Sequence, residues 1–291
     1  MSELIAFISS AVRAWYDANA RDLPWRRPGT SAWGVLVSEV MLQQTPAVRV
    51  APAWTAWMLR WPTPAALAAE PQGEAIREWG RLGYPRRALR LHEAATAIVT
   101  DHGGEVPATY DELLALPGVG SYTAAAVAVF GFGACHEVLD TNVRRVYARV
   151  FDGLPDVAAA SPTRGERAAA LARVPADDPA HHAVAVMELG ALVCTARAPQ
   201  CGGCPVASRC AWLAAGRPAG SAARRPQTYA GTDRQVRGRL LAVLREAAGP
   251  VAKPSLDAVW HDEPQRERSL AGLIEDGLVE PLGANRYRLP G

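Results

Sequence analysis

Lysine is almost missing from this chain: of 31 basic residues only Lys253 is a lysine, and the other 30 are arginines. With the many alanines, this fits a GC-rich coding sequence. It also removes nearly every amine that could attack a sugar carbon and form a Schiff base. Long apolar runs are missing too, since nothing approaches the ~20 residues a bilayer-spanning helix needs. The first residues, MSELIAFISSAVRAWYDANARD, lack the basic start, apolar centre and small-residue cleavage site of a secretory leader, so the expected location is the cytoplasm. There is no internal repeat and no low-complexity segment. A net charge of +2 is too small to announce a nucleic-acid partner, because phosphate affinity depends on local patches of Arg and Lys.

What is present is the composition of an ordinary globular protein, 49% hydrophobic and 21% charged over 291 residues, enough for one large body with an appendage or two modest domains. Residues 1–215 carry alanine- and leucine-rich segments at helical spacing, broken by Leu23-Pro24, Trp61-Pro62 and Leu116-Pro117-Gly118. That body reads as all-α. Residues 216–231, GRPAGSAARRPQTYAG, read as a linker. Residues 232–291 read as a helix through Arg245, a turn at Gly249-Pro250, short helices near Pro254–Trp260 and from Glu263, and a hairpin around Gly283-Ala284-Asn285. That order is winged-helix-like. Such modules serve DNA binding and protein contacts alike.

Four of the five cysteines fall within seventeen residues, as Cys194-x6-Cys201-x2-Cys204-x5-Cys210. In a reducing compartment four close thiols point to a metal site rather than disulfides. Zinc and a [4Fe–4S] cluster both accept four thiolates, and the unequal loops favour the larger cubane. Cys135 stands apart and reads as a small buried hydrophobe. Arg197 and Arg209 in the loop read equally as phosphate contacts or solvated arginines.

Leu113–Phe130, LLALPGVGSYTAAAVAVF, reads as a helix end, a Gly-rich turn and a new helix. Glycines such as Gly118 and Gly120 allow close backbone approach, and amides at the new helix start can receive a phosphate. Taken alone it is an ordinary helix-to-helix turn. Twenty residues after Gly120 comes Asp140, in Val138-Leu139-Asp140-Thr141-Asn142-Val143-Arg144-Arg145, where spacing alone suggests a helix N-cap. Ser38-Glu39-Val40-Met41-Leu42-Gln43-Gln44-Thr45 reads as a helix with Glu39 and Gln43 on one face, which alone is a commonplace polar pair.

Together these motifs, with Leu23-Pro24-Trp25-Arg26 and Leu82-Gly83-Tyr84 in order, resemble the helix-hairpin-helix, endonuclease III-like DNA glycosylases and within them the adenine DNA glycosylase family, over roughly residues 20–210. The resemblance implies a two-lobed helical body with a [4Fe–4S] cluster on Cys194, Cys201, Cys204 and Cys210. It implies a hairpin at Gly118 and Gly120 that grips DNA backbone, and a catalytic aspartate at Asp140 with Asn142 and Tyr122 beside the reacting sugar. Strand-cutting relatives carry a lysine where this chain has Tyr122, so the implied enzyme is monofunctional and uses water. Glu39 is the implied general acid toward adenine. Trp25, Arg26 and Glu188 are implied to line the base pocket, and Gln44 and Tyr84 to fill the vacated stack, with Gln43 and Thr45 nearby. The implied partner is double-stranded DNA with adenine opposite 8-oxoguanine or guanine, bound by a monomer.

The chain departs from the family in two places. Fewer than seventy residues follow the linker, where family members commonly carry a larger domain that inspects the oxidised guanine, and Pro85 stands where an aromatic or polar residue is expected. The rival readings are a thymine mismatch glycosylase of the same superfamily and a noncatalytic iron–sulfur DNA-binding protein.

Overall fold

The computed structural model describes residues 2–157, 159–220 and 229–291. Half of the expected linker at 216–231, residues 221–228, lies outside the described residues. The chain divides into two compact units. One takes the described residues within Met1–Ala32, Ala108–Leu114 and Gly120–Ala223, the other those within Trp33–Pro107, Ala115–Val119 and Arg224–Gly291.

The helices run α1 (Ser2–Asn19), α2 (Ala32–Leu42), α3 (Ala47–Arg60), α4 (Pro64–Ala68), α5 (Gln72–Trp79), α6 (Arg86–Asp101), α7 (Tyr110–Ala115), α8 (Ser121–Phe132), α9 (Thr141–Phe151), α10 (Arg164–Leu171), α11 (Pro179–Leu192) and α12 (Ala211–Ala214). Side-chain oxygens start several of them: Thr63, Asp140, Thr163 and Asp178 each accept from a backbone N–H in the first turn, satisfying donors a helix leaves unpaired. In the first unit, α1, α9 and α11 pack around Ile8, Val12, Val143, Val146, Val150, Val186 and Leu189. Helix α8 is apolar on every side, and Thr123 to Val129 are all buried, as such a helix must be. In the second unit the indole rings of Trp57, Trp61 and Trp79 meet edge to face, with centroids 4.6 and 5.8 Å from Trp57.

The C-terminal residues belong to the second unit. They form α13 (Asp233–Glu246), β1 (Val251–Ala252), α14 (Lys253–Asp257), α15 (Glu263–Glu275), β2 (Glu280–Leu282) and β3 (Arg286–Arg288). The sheet is antiparallel with order β1-β3-β2, pairing Val251 with Tyr287 and Pro281 with Tyr287 from opposite sides. Strand β1 was not foreseen: two residues between Pro250 and a helix carry no readable alternation, and tertiary pairing with β3 alone creates it.

Candidate active site and cluster loop

In the first unit the candidates gather at the start of α9. Asp140 caps the helix, its Oδ1 accepting the Val143 N–H at 2.6 Å, while its Oδ2 accepts from Asn142 Nδ2 at 2.8 Å. N-cap and candidate catalytic carboxylate are therefore one residue. Burial is the strongest influence on Asp140 and raises its carboxyl above the ordinary aspartate value, against the pull of the Val143 amide, Asn142 and Arg145. Arg145, buried, donates to Asn142 Oδ1 (2.8 Å), to the Gly190 carbonyl (2.8 Å) and to the Cys194 carbonyl (2.7 Å). Gly190 is packed so tightly on Asn142 that a Cβ there would lie 2.7 Å from Asn142 Cβ and 2.8 Å from its carbonyl oxygen. Tyr122, near the start of α8, packs against a small cluster of Ala126, Val129, Val138 and Ala183.

Glu188, one turn before the end of α11, has no exposed surface and receives Arg21 in a bidentate grip at 2.7 Å on each oxygen, plus Arg26 Nη1 at 2.9 Å. Burial would push its carboxyl up, but the hydrogen bonds from Arg21 and the charge of Arg26 outweigh it and hold the group down at about 2. Glu188 is thus an anion that orients two guanidiniums. Arg26 also lies over the Tyr16 ring, 5.8 Å from its centroid, and Trp25 is buried in the 3-10 turn Pro24–Arg26. Sequence reading missed Arg21, whose signal was its place two residues before Leu23-Pro24-Trp25-Arg26.

In the second unit Glu39 is buried within α2. The helix expected through Thr45 stops at Leu42, and Gln43, Gln44 and Thr45 form a turn. Pro46 is the cause, since the residue before a proline is pushed out of helical conformation. Gln43 therefore does not share a helix face with Glu39. Gln44, exposed, takes a left-handed φ of 54°, and Tyr84, half exposed at 50%, takes one of 48°. Side chains disfavour that region by roughly 1–2 kcal/mol per residue, so something must hold both. Arg87 does. Its guanidinium donates to the carbonyls of Val40 (2.8 Å), Gln43 (2.7 Å) and Gly83 (3.0 Å) and to Thr45 Oγ1 (3.1 Å), and it lies over the Trp79 and Tyr84 rings. Burial lowers the Arg87 pKa to about 10, which leaves it charged at neutral pH. Nothing in the sequence distinguished Arg87 from thirty other basic residues. Pro85 begins α6 with φ −64°, the value its ring imposes.

The turn between α7 and α8 runs through Pro117-Gly118-Val119-Gly120. Gly118 has φ 74°, and a Cβ there would lie 2.5 Å from Arg90 Cβ, so glycine is required. Gly120 is the exposed N-cap of α8.

Cys194, Cys201, Cys204 and Cys210 line one cavity in the first unit together with Val146, Val150, Leu189, Val193, Val206 and Trp212. An apolar pocket lined by four cysteines suits a thiolate-ligated cluster and gives little to an oxygen-loving cation. Burial pushes the Cys204 thiol up to about 11 and raises that of Cys210. Arg149 braces the loop from α9, donating to the Thr195 carbonyl (2.8 Å), the Ala196 carbonyl (3.2 Å) and Cys194 Sγ (3.4 Å) while lying over Trp212. Arg197 and Arg209 are exposed. Cys135, expected inside, is exposed instead: it lies in the irregular segment after the left-handed Gly133 that closes α8.

Residues 37–168 match the model of the HhH-GPD superfamily base excision DNA repair proteins. An adenine DNA glycosylase of Mycolicibacterium smegmatis is 55% identical over 280 residues, covering 96% of this chain and 94% of that one. The chain belongs to the adenine DNA glycosylase family. The family's human member is 41% identical over 72% of this chain but only 40% of its own length. Residues 194–210 match the iron-sulfur binding domain of endonuclease III, so this loop is that of a [4Fe–4S] cluster. Among solved structures, a thermostable thymine-DNA glycosylase superposes with a TM-score of 0.68 at 26% identity, covering 74% of this chain and 98% of that one.

Proposed function

We propose that this protein flips adenine out of duplexes in which it is mispaired with 8-oxoguanine or guanine and removes it by hydrolysis, without lysine-based strand cleavage. The observation that carries the reading is the Asp140 carboxylate held by the Val143 amide and the Asn142 side chain in the first turn of α9. A sugar losing its base becomes cation-like at C1′, and a fixed, desolvated carboxylate stabilises that charge more than water does. Adenine departs poorly as an anion, and buried Glu39 serves as the acid that protonates it. Tyr122 and Asn142 steady the aspartate and the attacking water, and the Arg21–Glu188–Arg26 group presents fixed donors to the flipped base beside Trp25. Gln43, Gln44, Thr45 and Tyr84 meet the duplex where the base has left, and the Gly118–Gly120 turn takes a backbone phosphate. When bound, the [4Fe–4S] cluster supplies structural closure of the 194–210 loop, with Cys194, Cys201, Cys204 and Cys210 as its ligands. The C-terminal unit is read as winged-helix-like and the enzyme as a cytoplasmic monomer.

Names of relatives support adenine as the target, and the likeness to a thymine-DNA glycosylase motivates a direct comparison. The test is single-turnover base release from duplexes with A opposite 8-oxoguanine, G, C or T, and with T opposite G. Adenine released from the 8-oxoguanine and G pairs and not from A:T is the expected result. Thymine release assigns the chain to the rival chemistry, and no release from any duplex reduces it to a noncatalytic binder.

A further inference from the structure

The C-terminal unit looks at first like a second DNA reader, but its electrostatics argue otherwise. Residues 232–291 hold nine basic and nine acidic residues, and most of the cations are already engaged. Lys253 pairs with Asp257 and Glu267, Arg266 with Asp257, Arg268 with Asp233, and Arg288 with Glu280. The exposed residues of α15 include Glu263 and Glu275. A module that neutralised phosphates would present an uncommitted basic stripe.

Its polar groups go to α5 and α6 instead. At the start of α5 the Gly73 N–H donates to the Pro290 carbonyl at 2.7 Å, and a Cβ on Gly73 would lie 2.5 Å from that oxygen and 2.8 Å from Leu289 Cβ. At the end of α5 two arginines clasp reciprocally. Arg77 donates to the Arg245 and Ala247 carbonyls at the end of α13, while Arg245 donates back to the Ile76 carbonyl at 2.9 Å. Burial lowers the Arg245 pKa to about 10, the mark of a desolvated contact. On α6, Arg86 pairs with Asp276 at 3.2 Å, and Asp276 is itself held by Arg237. Helices α5 and α6 are the two that flank the loop carrying left-handed Tyr84.

We propose that the C-terminal unit is a positioning element for base excision: by gripping α5 and α6 it sets the loop that presents Tyr84 to DNA, with Arg245 and Gly73 as the residues that carry the grip. This rests on the reading of Tyr84 as the residue that fills the vacated stack. The test uses the full-length enzyme with Arg245→Met and Gly73→Ala, each alone and combined with Tyr84→Ala, after melting curves show which variants are folded. The readouts are 2-aminopurine fluorescence beside the mispair, which reports stack filling, and the single-turnover rate of adenine release from A opposite G. Either grip variant lowers both readouts at least about threefold in the native background and adds nothing once Tyr84 is gone, the signature of coupled residues. Equal losses in both backgrounds, or folded grip variants that behave as native while Tyr84→Ala does not, overturn the positioning role. If Tyr84→Ala itself changes neither readout, the stack-filling reading of Tyr84 fails, and the positioning role fails with it.

Discussion

Replacing Gly190 by alanine is the sharpest probe of the Asp140 site, because it acts on Asn142 and leaves the aspartate itself unchanged. The added Cβ would sit 2.7 Å from Asn142 Cβ, 2.8 Å from its carbonyl oxygen and 3.0 Å from its carbonyl carbon, where ordinary contact begins at 3.4 Å. Relief therefore requires a separation of about 0.7 Å, and the obstructing atoms are the first-turn backbone of α9 rather than the tip of a flexible side chain. Overpacking of this kind costs about 1–3 kcal/mol of stability. The displaced residue also donates the 2.8 Å hydrogen bond to Asp140 Oδ2, and a bond to a charged group is worth about 1.5–3 kcal/mol. If that energy is needed in the transition state, adenine release slows about tenfold to a hundredfold at 1.36 kcal/mol per decade. Single-turnover release from an A:8-oxoguanine duplex measures it, with product-DNA affinity as the control for gross misfolding. A folded Gly190→Ala enzyme releasing adenine within twofold of native would refute the argument that Asn142 placement matters.

Other outcomes follow from the same geometry. Glu188 has a folded-state pKa near 2, below its unfolded value of about 4.3, so its ion pairs stabilise the fold fully above that unfolded value and are lost as pH falls toward 2. Melting curves of Glu188→Gln and native protein should differ most near pH 7 and converge on acidification; a gap independent of pH would show that the arginines are not what Glu188 provides. Native protein should carry about four irons per chain, with Cys204→Ser losing iron and melting temperature together, whereas one zinc per chain would remove the cluster assignment. Borohydride should trap no covalent adduct, because Tyr122 has no amine and Lys253 is engaged by Asp257 at 2.7 Å and Glu267 at 2.5 Å; a trapped species would refute the water-only reading. Asp140→Asn should retain the helix cap, since asparagine caps as well as aspartate, yet release no adenine, and a shared loss of folding and activity would leave Asp140 a cap alone.

Legibility followed chain locality. The helical body, the cysteine loop and the Gly118–Gly120 turn could be read because each is a short contiguous pattern whose chemistry is set by its own residues. Asp140 could be read twice, as cap and as candidate catalyst; the cap is what the structure shows, in the Val143 amide donating to its carboxylate. Arg21, Arg87, Arg145 and Arg149 were opaque for the opposite reason. Their partners are carbonyls and carboxylates as far as 167 positions away, and backbone carbonyls leave no trace in a sequence. Helix α2 ends three residues short of Thr45, because Pro46 acts on backbone conformation and leaves the polar spacing of Glu39 and Gln43 untouched. Strand β1 escaped because two residues hold no period.

Arginine's near-monopoly of the positive charge has a mechanical side. Arg145 holds Asn142, the Gly190 carbonyl and the Cys194 carbonyl with one planar group that cannot lose its proton at physiological pH. A lysine in its place would offer one rotating point of charge and could satisfy those three acceptors only loosely. The cluster loop and the first turn of α9, beside Asp140, thus share a stiff, always-charged strut. Whatever shifts the backbone at Cys194 is felt at Asn142 across a single side chain.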